Sequence, residues 1–151
     1  MLNNIVNIGL VGAGKLGSYH IQKLLNKENC NFVGIYDTDI MIMESHKSEY
    51  GVNVFNNLES LFKQSDAIVI ATPTTFHYEI SKNALSKNLH VFIEKPITDS
   101  ISDANILKSI AKKNNKIIQV GNVERFNKAF RESLKYIKEN DVSIVVFDDE
   151  L

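Results

Sequence analysis

This chain has a single cysteine, Cys30, so an internal disulfide is impossible; a small packed residue just before a strand, in a reducing compartment, is the expected role. It lacks any apolar run near the ~18 residues of a membrane span, and Met1 to Asn4 carry no basic leader. A soluble, cytoplasmic protein with no membrane association is therefore expected. Positive charge is not in excess, because 17 Lys and Arg against 18 Asp and Glu leave a net charge of −1. The lysines are spread along the chain, which excludes the clustered basic face that nucleic-acid binding needs. Four histidines, His20, His46, His77 and His90, stand far apart without H-x-H or H-E-x-x-H spacing, so no metal site is expected. Neither an internal repeat nor a low-complexity linker interrupts the 151 residues, a length that suits one domain with a real core.

What is present begins with Ile5-Val6-Asn7-Ile8-Gly9-Leu10-Val11-Gly12-Ala13-Gly14-Lys15-Leu16-Gly17, an apolar strand running into a G-x-G-x-x-G loop that opens a helix. Gly12 permits the tight turn, Gly14 lets a pyrophosphate approach the backbone, and Gly17 lets the helix pack against the strand. The helix N-terminus then offers unpaired N–H groups and partial positive charge to phosphates. A second strand, Asn31 to Asp37, ends in an acid roughly 20 residues on, where a carboxylate meets an adenosine ribose. A rival triphosphate-loop reading, G-x-x-x-x-G-K from Gly9 to Lys15, fails because Leu16 stands where a Mg²⁺-ligating hydroxyl is required.

Apolar runs of strand length alternate with helical segments through the first 121 residues. Strands are expected at 5–11, 31–37, 52–55, 67–71, 89–93 and 116–120, and helices at 15–27, 39–49, 57–64, 75–87 and 99–114. The near-continuous apolar strands imply a parallel sheet covered on both faces. Asn57 and either Asp99 or Ser100 are expected N-caps, as is Thr75 after the turn-stiffening Pro73; Ala104, Leu107 and Ala111 share one stripe, with Ile110 beside it. Two βαβαβ halves give an α/β, doubly wound parallel sheet of six strands in the order 3-2-1-4-5-6. Ligand then binds beyond the carboxyl ends of the strands, where the order reverses. Beyond residue 121, Phe126, Phe130, Leu134 and Ile137 make a helical stripe in 124–139, Val142 to Phe147 reads as a further strand, and Asp148 to Leu151 form an acidic tail.

The strand ends that face this crevice are Gly12 to Gly17, Asp37, Thr72 to His77, Glu94 to Pro96 and Gln119 to Asn122. Among them Glu94-Lys95-Pro96 is the best candidate for acid–base work, since a lysine desolvated in a cleft exchanges a proton with a substrate hydroxyl; a solvated Glu–Lys pair before a loop is the alternative.

The ordered set of Gly12-Ala13-Gly14-Lys15-Leu16-Gly17, Ala71-Thr72-Pro73 with His77, Glu94-Lys95-Pro96 and Val120-Gly121-Asn122-Val123-Glu124-Arg125-Phe126-Asn127 resembles the Gfo/Idh/MocA family of NAD(P)-dependent oxidoreductases, over about residues 5 to 140. The resemblance implies a Rossmann domain at 1–121, followed at 122–151 by a junction helix and the first strand of a substrate domain that is missing or only begun. It implies that Gly12, Ala13, Gly14, Lys15 and Leu16 line the pyrophosphate, while Asp37 holds the adenosine ribose and favours NAD over NADP. Ala71, Thr72, Pro73 and His77 would flank the cofactor's ribose and phosphates. Glu94 and Lys95 would sit near the nicotinamide ribose, with Lys95 on the substrate hydroxyl as the catalytic residue and Pro96 after a cis bond. Gln119 and Asn122 would edge the nicotinamide, and Arg125 would open the junction to the substrate domain. The substrate class implied is a sugar, cyclitol or nucleotide sugar. A non-catalytic NAD-binding module acting with a partner chain is the alternative. Exposure of Phe126, Phe130 and Val146 would then favour a homo-oligomer or a partner subunit.

Overall fold

The computed structural model describes residues 5–140, apart from the side chains of 124 and 135–140. Five parallel strands, β1 (Val6–Val11), β2 (Cys30–Tyr36), β3 (Ala67–Ile70), β4 (His90–Glu94) and β5 (Ile118–Gly121), form one sheet in the order β2-β1-β3-β4-β5. Parallel neighbours need crossovers, and helices α1 (Lys15–Leu25), α2 (Ile40–Tyr50), α3 (Leu58–Lys63), α4 (His77–Ser86) and α5 (Ile101–Lys113) supply them. The order reverses between β1 and β3, whose registers align Val11 with Ile70.

The expected six strands become five. Residues 52–55 contribute only one bridge, Val54 to Ile35, flanked by Ile35 N–H to Asn53 O and Phe55 N–H to Ile35 O, each 2.9 Å. Gly51 ends α2 and Asn57 caps α3, and the segment between them meets the backbone of β2 at Ile35 alone. The segment still lies on the outer edge of β2, so the order of the elements matches the expectation with its third strand reduced to a bridge. Cys30 opens β2 rather than preceding it and is half-buried.

Alternate strand residues feed two cores, because successive side chains point to opposite faces. Leu10, Ile35 and Val69 pack with Ile21 of α1 and Met43 of α2 on one face. Val11, Ile68, Ile70, Val91 and Ile93 pack with Leu61, Ala84, Leu85, Leu107 and Ala111 on the other. The sheet is therefore doubly wound. Of the α5 stripe, Leu107 and Ala111 are buried and Ala104 is half-buried.

Local signals set the helix ends. Asn57 Oδ1 accepts from Ser60 N–H at 2.9 Å. Ser100, not Asp99, caps α5: its Oγ accepts from Asp103 N–H at 3.0 Å and donates to the Asp103 carboxylate at 2.8 Å. Ser100→Ala is expected to lower stability by about 1 kcal/mol in urea denaturation without changing the m-value. Thr75 does not cap a helix. Pro73 opens a 3₁₀ turn over Thr74–Phe76, closed by Phe76 N–H to Pro73 O at 3.0 Å, and α4 starts after it with no side-chain cap.

Contacts divide the chain into Met1–Gly121 and Asn122–Leu151. Within the second unit Val123–Phe126 forms a 3₁₀ turn and α6 spans Lys128–Asn140. The helix begins later than the stripe from 124 suggests because Asn127 Oδ1 accepts from Ala129 N–H at 2.9 Å and caps it. The expected strand Val142 to Phe147, the acidic tail and the Ile137 side chain lie outside the described residues.

Candidate functional site

The β1–α1 loop is held as the glycines dictate. Gly12 has φ +89°, and a Cβ there would stand 2.7 Å from the Ala71 carbonyl carbon and the Thr72 nitrogen. A Cβ on Gly17 would collide with the Gly12 carbonyl oxygen. Gly14 is the N-cap of α1, makes no side-chain cap bond, and has nothing within 4 Å of where its Cβ would lie. The helix thus presents its N-terminus to an open face, with Lys15 and Leu16 exposed in the first turn.

Asp37, one residue beyond β2, is half-buried and turned back onto this loop. Its Oδ2 accepts from Ala13 N–H at 2.7 Å and its Oδ1 from Asp39 N–H at 2.9 Å. Asp39 in turn caps α2, accepting from Met41 N–H at 2.9 Å and Ile42 N–H at 3.3 Å. From α2, His46 Nε2 donates to Ala13 O at 2.7 Å.

Beyond β3, Ala71 and Thr72 are half-buried and Pro73 is exposed. His77 is 1% exposed; its Nε2 faces Thr72 O at 2.8 Å and its Nδ1 faces Pro96 O at 2.9 Å. Both ring nitrogens are thus engaged with backbone carbonyls, tying the loop after β3 to the loop after β4. At the end of β4, Glu94 is buried while Lys95 is exposed before a cis Pro96. Glu94 Oε1 pairs with His20 Nε2 of α1 at 2.7 Å, and the carboxylate lies against Gly121, where a Cβ would stand 2.7 Å from Oε2. Gln119 is exposed on β5 and pairs in register with Phe92. Asn122 belongs to the second unit.

Gly12, Gly14, Asp37, Ala71, Thr72 and Pro73 come together in one cavity of about 420 Å³, completed by Val11, Tyr36, Thr38, Leu58, Phe76 and Ile80. Lys15, Leu16, His77, Glu94, Lys95 and Gln119 do not line it. The residues fit a dinucleotide on two observations. Thr72 Oγ1 is buried with no hydrogen-bond partner, a cost that a ligand hydroxyl or phosphate would relieve, and the space over Gly14 admits a group that approaches the backbone. The apolar walls and few polar groups suit a base and its ribose. Another hollow, of about 470 Å³, lies at the amino ends of the strands between Glu59, Lys63, Asp66, Lys87, His90 and Lys116. There a hydrogen bond from Lys87 holds the Glu59 carboxyl below its usual pKa. Among the described residues no three His, Cys, Asp or Glu cluster to hold a metal, and no helix is long and apolar enough to cross a membrane.

His20 and His46 were not among the residues that the sequence marks as functional. Each nonetheless follows a helical stripe: Gly17, His20, Ile21 and Leu24 on α1, and Met43, His46 and Tyr50 on α2. That spacing is the signal that both rings turn inward.

A family model described as an oxidoreductase family with an NAD-binding Rossmann fold, GFO_IDH_MocA, matches residues 6–122, and the chain belongs to that family. It is 34% identical to glucose-6-phosphate 3-dehydrogenase of Bacillus subtilis, over 70% of this chain and 30% of that protein. Its fold superposes on UDP-N-acetylglucosamine 3-dehydrogenase of Acidithiobacillus ferrooxidans with a TM-score of 0.80 at 25% identity, covering 87% of this chain and 43% of the other. For myo-inositol 2-dehydrogenase of Lactobacillus plantarum the TM-score is 0.81 at 28% identity, covering 95% and 44%. The chain therefore spans less than half the length of each of these relatives. It is an oxidoreductase-family, nicotinamide-dinucleotide-binding domain similar to those of sugar, cyclitol and nucleotide-sugar dehydrogenases.

Proposed function

We propose that this chain is the cofactor-binding half of an NAD-dependent dehydrogenase that oxidises a carbinol of a sugar, cyclitol or nucleotide sugar, with residues 1–121 carrying the cofactor and 122–151 leading into a substrate domain. The observation that carries the reading is the cavity in which the glycine loop, Asp37 and Thr72 converge beneath the uncapped N-terminus of α1. The backbone from Gly12 through Ala13, Gly14 and Lys15 to Leu16 receives the pyrophosphate: Gly12 and Ala13 shape the turn, their N–H groups held by Tyr36 O and Asp37, and the helix N-terminus from Gly14 to Leu16 supplies the N–H groups and dipole that favour negative charge. Asp37 accepts from the adenosine ribose 2′-hydroxyl and repels a 2′-phosphate, so NAD is preferred to NADP. Ala71, Thr72 and Pro73 wall the adenosine side, and His77 supports them from below by holding Thr72 O.

When bound, the nicotinamide supplies the hydride acceptor. The chain's own contribution at that end is twofold: Glu94 and Lys95 stand at the nicotinamide ribose with Gln119 and Asn122 at the edge of the ring, and Lys95 takes the proton of the substrate hydroxyl. The family membership and the names of the relatives support the substrate class, since these act on glucose 6-phosphate, UDP-N-acetylglucosamine and inositol.

Calorimetric titration with NAD⁺, NADH, NADP⁺ and ATP tests the reading. NADH is expected to bind, ATP and NADP⁺ to bind far more weakly, and Asp37→Ala to weaken NADH by about thirtyfold, the loss of one charge-assisted hydrogen bond of about 2 kcal/mol. Failure of the wild-type chain to bind any dinucleotide would overturn it. Titration of cofactor without turnover of sugar phosphates, cyclitols or UDP-sugars, measured with a substrate domain joined to the chain, would instead assign a non-catalytic NAD-binding module that works with a partner chain.

A further inference from the structure

Ala13 sits between the two glycines that turn and open the proposed phosphate loop, and it is completely buried. Side chains from two different elements grip its two ends. Its N–H donates to Asp37 Oδ2 at 2.7 Å, and its carbonyl faces His46 Nε2, also at 2.7 Å. A carbonyl oxygen only accepts, so the imidazole carries its hydrogen on Nε2. The ring stacks on Tyr50 with 5.8 Å between centroids, and Gln22 of α1 donates to the Tyr50 hydroxyl at 3.1 Å. His46 Nδ1 is buried without a partner, so the ring is placed by Nε2 and by stacking alone.

We infer that His46 is a positioning residue for dinucleotide binding: it fixes the Ala13 carbonyl so that the following peptide, Ala13–Gly14, keeps its N–H turned toward the open face over Gly14. The inference rests on the proposed cofactor site but adds a residue that touches no cofactor and acts only through the loop. Asp37 alone cannot set this orientation, because a single hydrogen bond at the Ala13 nitrogen leaves the peptide beyond its Cα free to rotate about ψ. Two anchors, one on each side of the Ala13 Cα, determine both torsions. Preorganising the loop in this way removes an ordering cost that would otherwise be met on binding.

His46→Gln and His46→Leu separate the hydrogen bond from the packing. Gln carries an amide N–H at a reach similar to that of Nε2, whereas Leu fills the space without a donor. Two readouts are taken: hydrogen exchange of the Ala13 amide, which Asp37 holds, in the cofactor-free protein, and calorimetric NADH affinity. His46→Leu is expected to speed exchange of the Ala13 amide and to weaken NADH about tenfold, the effect of one hydrogen bond of about 1.4 kcal/mol. His46→Gln is expected to restore both to within about threefold of wild type. Nitrogen-15 spectra of the imidazole should show the Nε2–H tautomer for His46. Unchanged exchange in His46→Leu, or a Gln variant as defective as the Leu variant, overturns the inference. A wild-type chain that binds no NADH overturns the cofactor reading instead, and with normal exchange effects the loop brace still stands.

Discussion

Gly17→Ala is expected to cost about 3 kcal/mol of stability and to lower the melting temperature by roughly 10 °C. Alanine in a helix ordinarily gains up to about 1 kcal/mol over glycine, so the sign of this change is decided by contact and not by propensity. The new methyl would collide with the Gly12 carbonyl oxygen and stand 2.9 Å from its carbon, and both are backbone atoms. Gly12 cannot retreat: it is held at φ +89° with the Ala71 and Thr72 backbone filling the space a Cβ would need, and its N–H donates to Tyr36 O at 2.9 Å. Gly14→Ala is the control. Nothing lies within 4 Å of its Cβ position, so that variant should melt close to wild type while losing NADH affinity, because the methyl then occupies the approach of the pyrophosphate. Thermal denaturation and calorimetry on the two variants check the pair. A Gly17→Ala protein that melts with wild type would show that the helix can slide away from β1.

The same comparison shows what the amino-acid string makes legible. Glycine spacing and strand-length apolar runs are local properties, and they locate the glycine loop after β1, Asp37 at the end of β2 and Glu94-Lys95-Pro96 at the end of β4 without reference to the fold. The alternation of these runs with helices is enough for a doubly wound sheet. Features that depend on a partner distant in sequence are not legible. Residues 52–55 have strand composition, but pairing is decided by what β2 offers: in backbone hydrogen bonding Ile35 alone engages them, with Asn53 Nδ2 adding a side-chain bond to Val33 O at 3.1 Å. Thr75 is a good cap by residue type, yet the 3₁₀ turn started by Pro73 supplies backbone carbonyls where a hydroxyl would have acted. His77 illustrates the limit most directly. Its place four residues after a proline marks it as belonging to the site, but its two bonds, to Thr72 O and Pro96 O, make it a tie between loops beneath the surface. His20 and His46 sit on helical stripes whose partners, Glu94 and the Ala13 carbonyl, become neighbours only when α1 and α2 pack against the sheet.

Lys95 is the position at which these ties converge. On its amino side Glu94 is anchored by His20 at 2.7 Å and lies against Gly121; on its carboxyl side the Pro96 carbonyl is held by His77 at 2.9 Å. The backbone through Lys95 is thereby fixed from α1, β5 and α4, while its own side chain is exposed. The scaffold fixes the backbone under the amine, but the cleft desolvation expected of Lys95 is not supplied by the described residues, where its side chain is exposed, so a role in proton exchange requires bound cofactor and substrate to cover it. Lys95→Ala is therefore expected to reduce carbinol oxidation by about a thousandfold, within the range for loss of a general acid–base group, while NADH affinity stays within about threefold. Lys95→Arg should fail to rescue it: a guanidinium keeps its proton throughout and cannot take another from the substrate. Steady-state absorbance of reduced nicotinamide, taken with the substrate domain joined to the chain, gives the first quantity and calorimetry the second. If Lys95→Ala turned over like the wild-type chain, the proton would have to leave through a different group. If it lost NADH binding as well, Lys95 would be holding the cofactor, and the fixed backbone on either side of it would serve affinity instead of proton transfer.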